Sequence, residues 1–517
     1  MAFSGMMAAA VGACLLSTAG FSAADELSTK IEAIIHDQDY KHAHWGILVL
    51  DPKTGNELFS LNPDHLFAPA STTKLYSCAA ALAALGADHR FETPVYARGT
   101  IKDGRLTGQL ILVAQGDLTM GGRTDSDGGM SFKDHDHIYA NGSTEGELTE
   151  TDPLAGLSSL ARQVAAAGIR QVGDVLVDDR LFNKARSSGS GPEIVTPIII
   201  NDNLVDIVVT PAAEEGKPAT VTMRPETPFI QMDAQVMTTA TGKQLRVNVT
   251  SAGPRAFKVR GTIPVSAKPL LRIYPVDDPA AFARALFVEA LHREGVSVAA
   301  SRFENSVNEL PEKASYAGMT RVAALKSPPF SEVIKVTLKV SHNLYASTCP
   351  LLIAAKEGKK NLADGLRGQR RFLGDLGVDL DSVSFGGGAG GANADAVTPR
   401  ASVSLLRAMS GRPEWPVFRA SLPLLGVDGT LVDVVSADSP AKGKVAAKTG
   451  TLMWFDEMNE RTLLTSKALA GVMTTAKGRE LMVALYVNGV PLPPGITAKR
   501  EGKTLGKICE LIYQFAP

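Results

Sequence analysis

Strand-like segments crowd the middle of this 517-residue chain, while patterns that mix helix with strand occupy both ends. Between about 92 and 325 the apolar runs are short: QLILVAQG (109–116), DVLVDD (174–179), LVDIVVTP (204–211), ATVTMRP (219–225), LRVNVTS (245–251) and FKVRGTIP (257–264). Runs of that length separated by Gly, Pro, Asn and Asp read as strands. Two helical patterns interrupt them, LAGLSSLARQVAAAG ending at Gly168 and AAFARALFVEALHREG at 280–295, so roughly 205–270 reads as an all-β unit of its own. On the amino-terminal side, WGILVLDPKTGNELFS (45–60) reads as two strands about a turn, and TTKLYSCAAALAALGA (72–87) as a helix that stops at Gly86. On the other side helical patterns return from 326, followed by strand-like 444–452, 468–475 and 480–489 and a last helix up to Phe515. The order implies an α+β fold in which 25–92 and 326–517 form one discontinuous domain and 93–325 an insertion. Within the insertion, the polar stretch 119–152 is too long for a passive connection inside a compact domain.

Composition narrows the function classes. The chain is 44% hydrophobic and 21% charged, and its 53 basic and 54 acidic residues nearly cancel. Without a basic excess, nucleic acid is not an expected partner. Met6 to Ala24 is apolar and rich in small residues, turning polar at Asp25-Glu26, and small residues at 22–24 suit cleavage; residues 1–24 read as a secretory signal peptide. No Lys or Arg precedes that run, so a buried amino-terminal helix is the alternative. No later stretch holds about 20 apolar residues, so no further membrane span is expected. Beyond Cys14 the cysteines are Cys78, Cys349 and Cys509, whose spacings form no metal pattern. They read as buried thiols, with one disulfide left open by export.

Three short motifs follow one another: Ser71-Thr72-Thr73-Lys74, Ser341-His342-Asn343 and Lys448-Thr449-Gly450. Each alone is weak, because Ser439 and Lys442 also spell S-x-x-K, 53–55 spell K-T-G, and 60–62 and 306–308 spell S-x-N. Physical context separates them. A serine and a lysine three residues apart share one helical face, which lets the amine reach the hydroxyl. A serine at a helix start also places its backbone N–H at the positive end of the dipole, where an oxyanion can use it. Ser71 opens a helical run, whereas Pro440 and Gly443 mark a turn around Ser439. K-T-G needs an extended strand that can pair with a peptide; Lys448 sits in one and Lys53 in a turn. Ser341 precedes a helical stretch, whereas Ser60 and Ser306 fall in polar connections.

The ordered trio matches the motif set of β-lactam-interacting serine enzymes. Beyond it, FAPASTTKLYSCAAALAALG (67–86), QGDLTMGG (115–122), VGDVLVDDRLF (172–182), INDNLVDIVVTP (200–211), SHNLYAS (341–347), LLGVDGTL (424–431) and KTGTL (448–452) resemble the peptidase S13 family. These are the class C low-molecular-mass penicillin-binding proteins, D-alanyl-D-alanine carboxypeptidase/endopeptidases. The 270 residues from Ser71 to Ser341 agree with that family's large insertion after the nucleophile helix, and the resemblance covers nearly the whole mature chain. It implies a penicillin-binding/β-lactamase-like transpeptidase domain, an antiparallel sheet flanked by helices. It also implies Ser71 as nucleophile, Lys74 as its base and Ser341 as a proton relay to the leaving amine. Asn343 would hold the penultimate amide of the substrate, and Lys448 and Thr449 its terminal carboxylate. Gly450 completes the third motif, and the N–H groups of Ser71 and Thr451 would form the oxyanion hole. Asp178 matches a family residue facing the substrate's amino group, with a structural turn carboxylate beside Asp179 as the alternative.

The expected partners are peptidoglycan stem peptides and β-lactams as covalent inhibitors, with no cofactor, no metal and no obligate protein partner; the expected location is periplasmic or otherwise extracytoplasmic. Two other readings compete: a β-lactamase or esterase on the same scaffold, and a cell-wall-binding relative without turnover. The large insertion and the lack of an evident deacylating base speak against the first, and three intact motifs against the second. Two stretches depart from the family. At 385–392, FGGGAGGA stands where relatives carry a D-G-S-G-L-S-R-like stretch, and its arginine has no counterpart. After KTGTLM, about ten extra residues (WFDEMNERTL) place Trp454, Asp456 and Glu457 beside the cleft. Asp134-His135-Asp136-His137 alternates metal-ligand types, but one strand-like run encloses a metal poorly, so a solvated loop is expected.

Overall fold

A computed structural model describes residues 23–304, 306 and 308–516. The signal-peptide assignment therefore lies almost wholly outside the described residues, which open with the helix Ala23–Ile35. No helix among them is long and apolar enough to cross a membrane.

Both ends of the chain build one antiparallel sheet. Its strand order is Val445–Asp456, Arg461–Thr474, Glu480–Asn488, His44–Leu50 and Glu57–Leu61, with Val490–Pro491 pairing on Arg461–Thr474. The central strands are near-continuous apolar runs because both faces are covered, and seven consecutive residues of Glu480–Asn488 are buried. Ile47, Val49, Val483 and Leu485 point to a core shared with the terminal helix Lys499–Phe515. Leu48, Ala468, Ala470, Ala484 and Tyr486 point to the opposite core. That second core surrounds the helix Thr73–Leu85, buried at every position from Thr73 to Leu82. A helix apolar all round belongs in a protein interior rather than on its surface. Asn343–Lys356 packs beside it and is buried in the same way.

The middle of the chain leaves the sheet-and-helix body along Glu92–Lys102 and returns along Thr320–Lys326, and these two strands are antiparallel neighbours. They belong to a mixed five-stranded sheet of order Ser297–Val298, Gln171–Asp178, Arg105–Val113, Glu92–Lys102, Thr320–Lys326. Exit and entry strands that pair directly let a long insertion be closed with its ends already together. The helices Ala155–Ala166 and Pro279–Arg293 contribute to its core. From Leu204 to Pro275 every regular element after the short turn at 201–203 is a strand, arranged as two three-stranded sheets.

The Asp134-His135-Asp136-His137 run is not a solvated loop. Asp136 and His137 are buried, 2% and 4% exposed, at the start of a short helical turn, His137–Gly142, that Asp136 caps. Arg123 of the stretch 119–152 meets Asp136, and the long-range partners Asp202 and Asp206, 65 and 69 residues beyond His137, complete the pairing in a way the local sequence does not reveal. Asp134 accepts from the Gly429 N–H at 2.5 Å, which ties the same stretch to the segment preceding the third motif. Ser60, expected in a connection, lies in the strand Glu57–Leu61.

Candidate active site

The turn that carries Ser71, the nucleophile expected from the sequence, is set by backbone strain. Ala70 takes φ +48°, a left-handed conformation that costs a residue with a Cβ roughly 1 kcal/mol or more. The strain is held by close packing, since Ala70 is fully buried and the loop at Gly390 passes against its carbonyl. Ser71 follows within the turn Ala70–Thr72 that leads into Thr73–Leu85, so its N–H lies ahead of the helical hydrogen-bond ladder.

Lys74 sits one turn on and is fully buried. Its Nζ lies 2.8 Å from Ser71 Oγ, 2.7 Å from Asn343 Oδ1 and 2.8 Å from the Ala389 carbonyl. Two of these three partners are obligate acceptors and the third is a hydroxyl. The three partners can accept the three N–H groups of an ammonium; in the neutral amine two N–H groups go to Asn343 and Ala389 and the lone pair faces the Ser71 proton. Burial lowers the Lys74 pKa from 10.5 to about 7, against the opposing pull of Cys78 and Asp395. Lys448 is equally buried, and burial together with the nearby Lys74 charge holds its pKa well below the usual lysine range. Two buried amines in one site disfavour each other's protonation.

Ser341 lies between the helices Phe330–Lys339 and Asn343–Lys356. The break falls on Ser341 itself, at φ +62°. The Tyr139 hydroxyl, from 119–152, donates to the Ser341 carbonyl at 2.5 Å. On the other side His342 stacks on Tyr345, with centroids 3.6 Å apart and planes 9° from parallel, and the Tyr345 hydroxyl donates to Asp202. The Ser341 hydroxyl makes no hydrogen bond to Ser71, Lys74 or Lys448. Asn343 Nδ2 donates to the Ser190 carbonyl at 2.9 Å and to Ser190 Oγ at 3.1 Å, so the insertion supplies one wall of the site.

Beneath this wall lies a buried charge cluster. Arg123 forks onto Asp136 with both contacts at 2.8 Å and reaches Asp202 Oδ2 at 2.7 Å. His137 places Nδ1 2.6 Å from Asp206 and Nε2 2.8 Å from Asp202. Burial opposes its charged form, but Asp206 and Asp202 outweigh that and raise its pKa to about 10. As an imidazolium it donates to both carboxylates. The 3.0 Å approach of Arg123 Nη2 to His137 Nε2 is then two cations sharing one carboxylate oxygen rather than a hydrogen bond. Arg224, 3.9 Å from Asp206, completes three cations against three carboxylates. Burial pushes the His342 pKa down, so its ring stays neutral beside Asp202.

The third motif lies on the strand Val445–Asp456. A Cβ added at Gly450 would stand 2.6 Å from the Pro69 carbonyl oxygen and 3.1 Å from Ser71 N, so only glycine lets this strand lie against the Ser71 turn. The Thr449 hydroxyl bonds Thr430 at 2.7 Å, and Lys467 donates to Thr451 Oγ1 at 2.8 Å. Lys448 Nζ donates to the Thr449 carbonyl at 2.8 Å.

The glycine-rich departure at 385–392 has a structural cause. Gly388 and Gly390 would place a Cβ 2.0 Å from the Ala346 carbonyl oxygen and 1.9 Å from that of Ala70. The loop presses between the Ser71 turn and Asn343–Lys356, and its Ala389 carbonyl is the third Lys74 partner. Sequence reading missed that role because a backbone carbonyl has no letter; the run of glycines was its only trace. Tyr139 and Ser190 were missed for want of any local signal. Asp178 stands apart from these contacts: it is 2% exposed and its oxygens accept from Arg180 at 2.7–3.0 Å and from Tyr316 at 2.7 Å. Of its two readings, this geometry is that of the structural carboxylate. Cys78, Cys349 and Cys509 are free and buried.

With the geometry in place, comparison with known proteins decides the relationship. The profile of the D-Ala-D-Ala carboxypeptidase 3 (S13) family matches residues 27–505. The chain belongs to this family. It is 30% identical over 456 residues to a D-alanyl-D-alanine carboxypeptidase of Actinomadura sp. (strain R39), covering 83% of this chain and 76% of the relative. It is 23% identical over 450 residues to D-alanyl-D-alanine carboxypeptidase DacB of Haemophilus influenzae, covering 83% and 82%. The crystal structure of penicillin-binding protein 4 (dacB) from H. influenzae superposes with a TM-score of 0.70 at 20% identity, over 94% of this chain and 99% of that one. The α+β fold expected from the sequence is thus the fold of this chain.

Proposed function

We propose that the chain is a serine-type D-Ala-D-Ala carboxypeptidase, with endopeptidase action on cross-linked stem peptides, working outside the cytoplasm on peptidoglycan. The observation that carries the reading is a fully buried Lys74 amine 2.8 Å from Ser71 Oγ, where burial favours its neutral form. Family membership supports the reaction class. In the proposed reaction, Ser71 Oγ attacks the carbonyl carbon joining two D-alanines as Lys74 Nζ takes its proton. The developing oxyanion accepts from the N–H groups of Ser71 and Thr451, which the Gly450 contact keeps close together. The C–N bond breaks as a proton passes from Lys74 through Ser341 to the leaving amine, giving an ester on Ser71. Water, deprotonated by the same Lys74, then hydrolyses the ester. Asn343 would exchange its Ser190 contact for the substrate amide. Lys448, with no carboxylate beside it, has a low pKa; an incoming terminal carboxylate would raise it and form an ion pair, assisted by Thr449.

The same attack on a β-lactam opens the ring and leaves the amine tethered, so the acyl-enzyme persists. A relative's solved complex with a novel β-lactam, penicillin-binding protein 4 of H. influenzae, supports this part of the reading. Replacing Ser71 by alanine is expected to abolish both labelling by a fluorescent penicillin and release of D-alanine from a D-Ala-D-Ala peptide. Labelling that survives in S71A protein rejects the assignment, and faster turnover of a chromogenic cephalosporin than of the peptide would move it to a β-lactamase.

A further inference from the structure

The third-motif strand does not stop at the motif. It continues as a hairpin with Arg461–Thr474 and carries its pairing out to Asp456 opposite Arg461. Along this extension four large apolar side chains lie open to solvent: Met453 at 58% exposed, Trp454 at 68%, Phe455 at 52% and Met458 at 86%. The tip is ordered, since Asp456 accepts from the Asn459 backbone at 3.2 Å and from its side chain at 2.6 Å. Folding gains nothing from leaving a tryptophan this exposed.

Strand geometry decides which way Trp454 points. Gly450 faces the nucleophile turn, so even-numbered positions of this strand share the catalytic face. One register shift interrupts the ladder: Leu452 pairs with Ser466 but Met453 with Leu464. The extra residue, Thr465, is therefore on the partner strand, and alternation along the motif strand is not reset. Lys448, Gly450, Leu452 and Trp454 project from one face. At about 3.3 Å per residue, Trp454 lies roughly 13 Å beyond Gly450.

The strand is also the end of its sheet. Its first residues are covered on the outer side, where Leu425 donates to Val445 and Ala447 to Pro423. From Lys448 to Asp456 no strand among the described residues covers that edge. An extended peptide adding there in antiparallel sense, with its terminal carboxylate at Lys448 and Thr449, runs with its amino-terminal end toward Trp454. In a peptidoglycan stem peptide three residues precede the scissile pair, and the first is joined to a sugar. At one residue per strand position the sugar falls at the level of Trp454. A flat indole with an exposed face and one N–H suits the apolar C–H face and the hydroxyls of a sugar ring. A bilayer is the weaker occupant, because Asp456, Glu457 and Glu460 at the tip outnumber Arg461 and repel anionic headgroups.

Resting on the function proposed above, we infer that Trp454 binds the saccharide that carries the stem peptide, so that the enzyme discriminates glycan-linked from free peptides. The test compares wild-type and W454A protein on a disaccharide-pentapeptide and on the same pentapeptide without sugar. The expected result is a KM higher by roughly five- to tenfold for the glycan-linked substrate alone. Free-pentapeptide kinetics and the rate of penicillin labelling stay unchanged, and W454F recovers part of the loss. Parallel changes on both substrates, or no change on either, overturn the inference. So does unaltered disaccharide-pentapeptide kinetics accompanied by loss of co-sedimentation with phosphatidylglycerol vesicles. If wild-type protein cleaves neither substrate, the proposed function fails separately. Calorimetric binding of the disaccharide-pentapeptide to S71A protein with and without W454A then decides: weaker binding sustains the inference and equal binding overturns it.

Discussion

The state of Lys74 can be read from the pH dependence of acylation. Burial sets its pKa near 7, so roughly half the amine is neutral at pH 7, whereas a lysine at 10.5 would be about 0.03% neutral. The competent fraction is thus enlarged roughly a thousandfold. Because Lys74, as the proposed base, must be neutral to accept the Ser71 proton, the second-order rate of penicillin labelling should fall about tenfold per pH unit below the midpoint and level off above it. Asp395 offers a way to move that midpoint. Its charge raises the Lys74 pKa, while its oxygens accept from the Gly386 and Ala392 N–H groups. Asp395→Asn keeps an acceptor for the loop and removes the charge, so the acid limb should shift to lower pH. A disturbed loop would lower the rate equally at every pH and leave the midpoint in place. The assay is a time course of fluorescent-penicillin labelling from pH 5 to pH 10 with both proteins. A profile flat below pH 9, a limb near pH 10, or a shift to higher pH in the variant would refute the reasoning.

Two predictions concern the support beneath the site. Tyr139→Phe strands the buried Ser341 carbonyl and releases its left-handed conformation; at about 1–2 kcal/mol this should lower kcat/KM some five- to thirtyfold, chiefly through kcat. Tm should barely move, and unchanged steady-state kinetics on a D-Ala-D-Ala peptide would remove Tyr139 from the support. His137→Gln leaves Asp202 and Asp206 short of a buried cation and should cost about 3–5 kcal/mol in urea unfolding. Since the folded-state pKa of His137 lies above its unfolded value, its contribution is fully present below about pH 6.5 and is lost as pH rises through about 10. Wild-type stability should therefore decline over that window with a component the variant lacks, and identical pH profiles would show that His137 is not charged.

The legibility of this chain follows the range of each interaction. Ser71 and Lys74 are readable because three residues of helix fix their geometry locally. The motif strand is readable because alternation and apolar runs declare it. The decoy at Lys53 is readable because it lies in the turn between His44–Leu50 and Glu57–Leu61. Asp136 and His137 failed for the opposite reason. Their polarity is written locally, but of the charges that bury them only Arg123 is near in sequence, 13 residues from Asp136, while Asp202 and Asp206 lie 65 and 69 residues beyond His137. The glycine run at 386–391 reads only as a departure from the family stretch, without its arginine, because the sequence carries no record of the Ala389 carbonyl or of the Ala70 backbone it must clear.

One step of synthesis joins these cases. The residues that escaped the sequence all come from segments distant from Ser71, yet each ends on an atom next to the motifs: Tyr139 on the Ser341 carbonyl, Ser190 on the Asn343 amide, Asp202 on the Tyr345 hydroxyl. Two strained residues stand among these contacts: Ser341 takes the Tyr139 hydrogen bond, and Ala70 meets the close approach of Gly390 and Gly450. A left-handed backbone at a residue with a Cβ persists only when its surroundings over-determine it. The supports at Ser341 come from the inserted region and those at Ala70 from the glycine loop and the motif strand. The insertion is therefore part of what holds the site in shape. An enzyme trimmed of it should lose the conformation of Ser341 even if the sheet and the helix Thr73–Leu85 still fold.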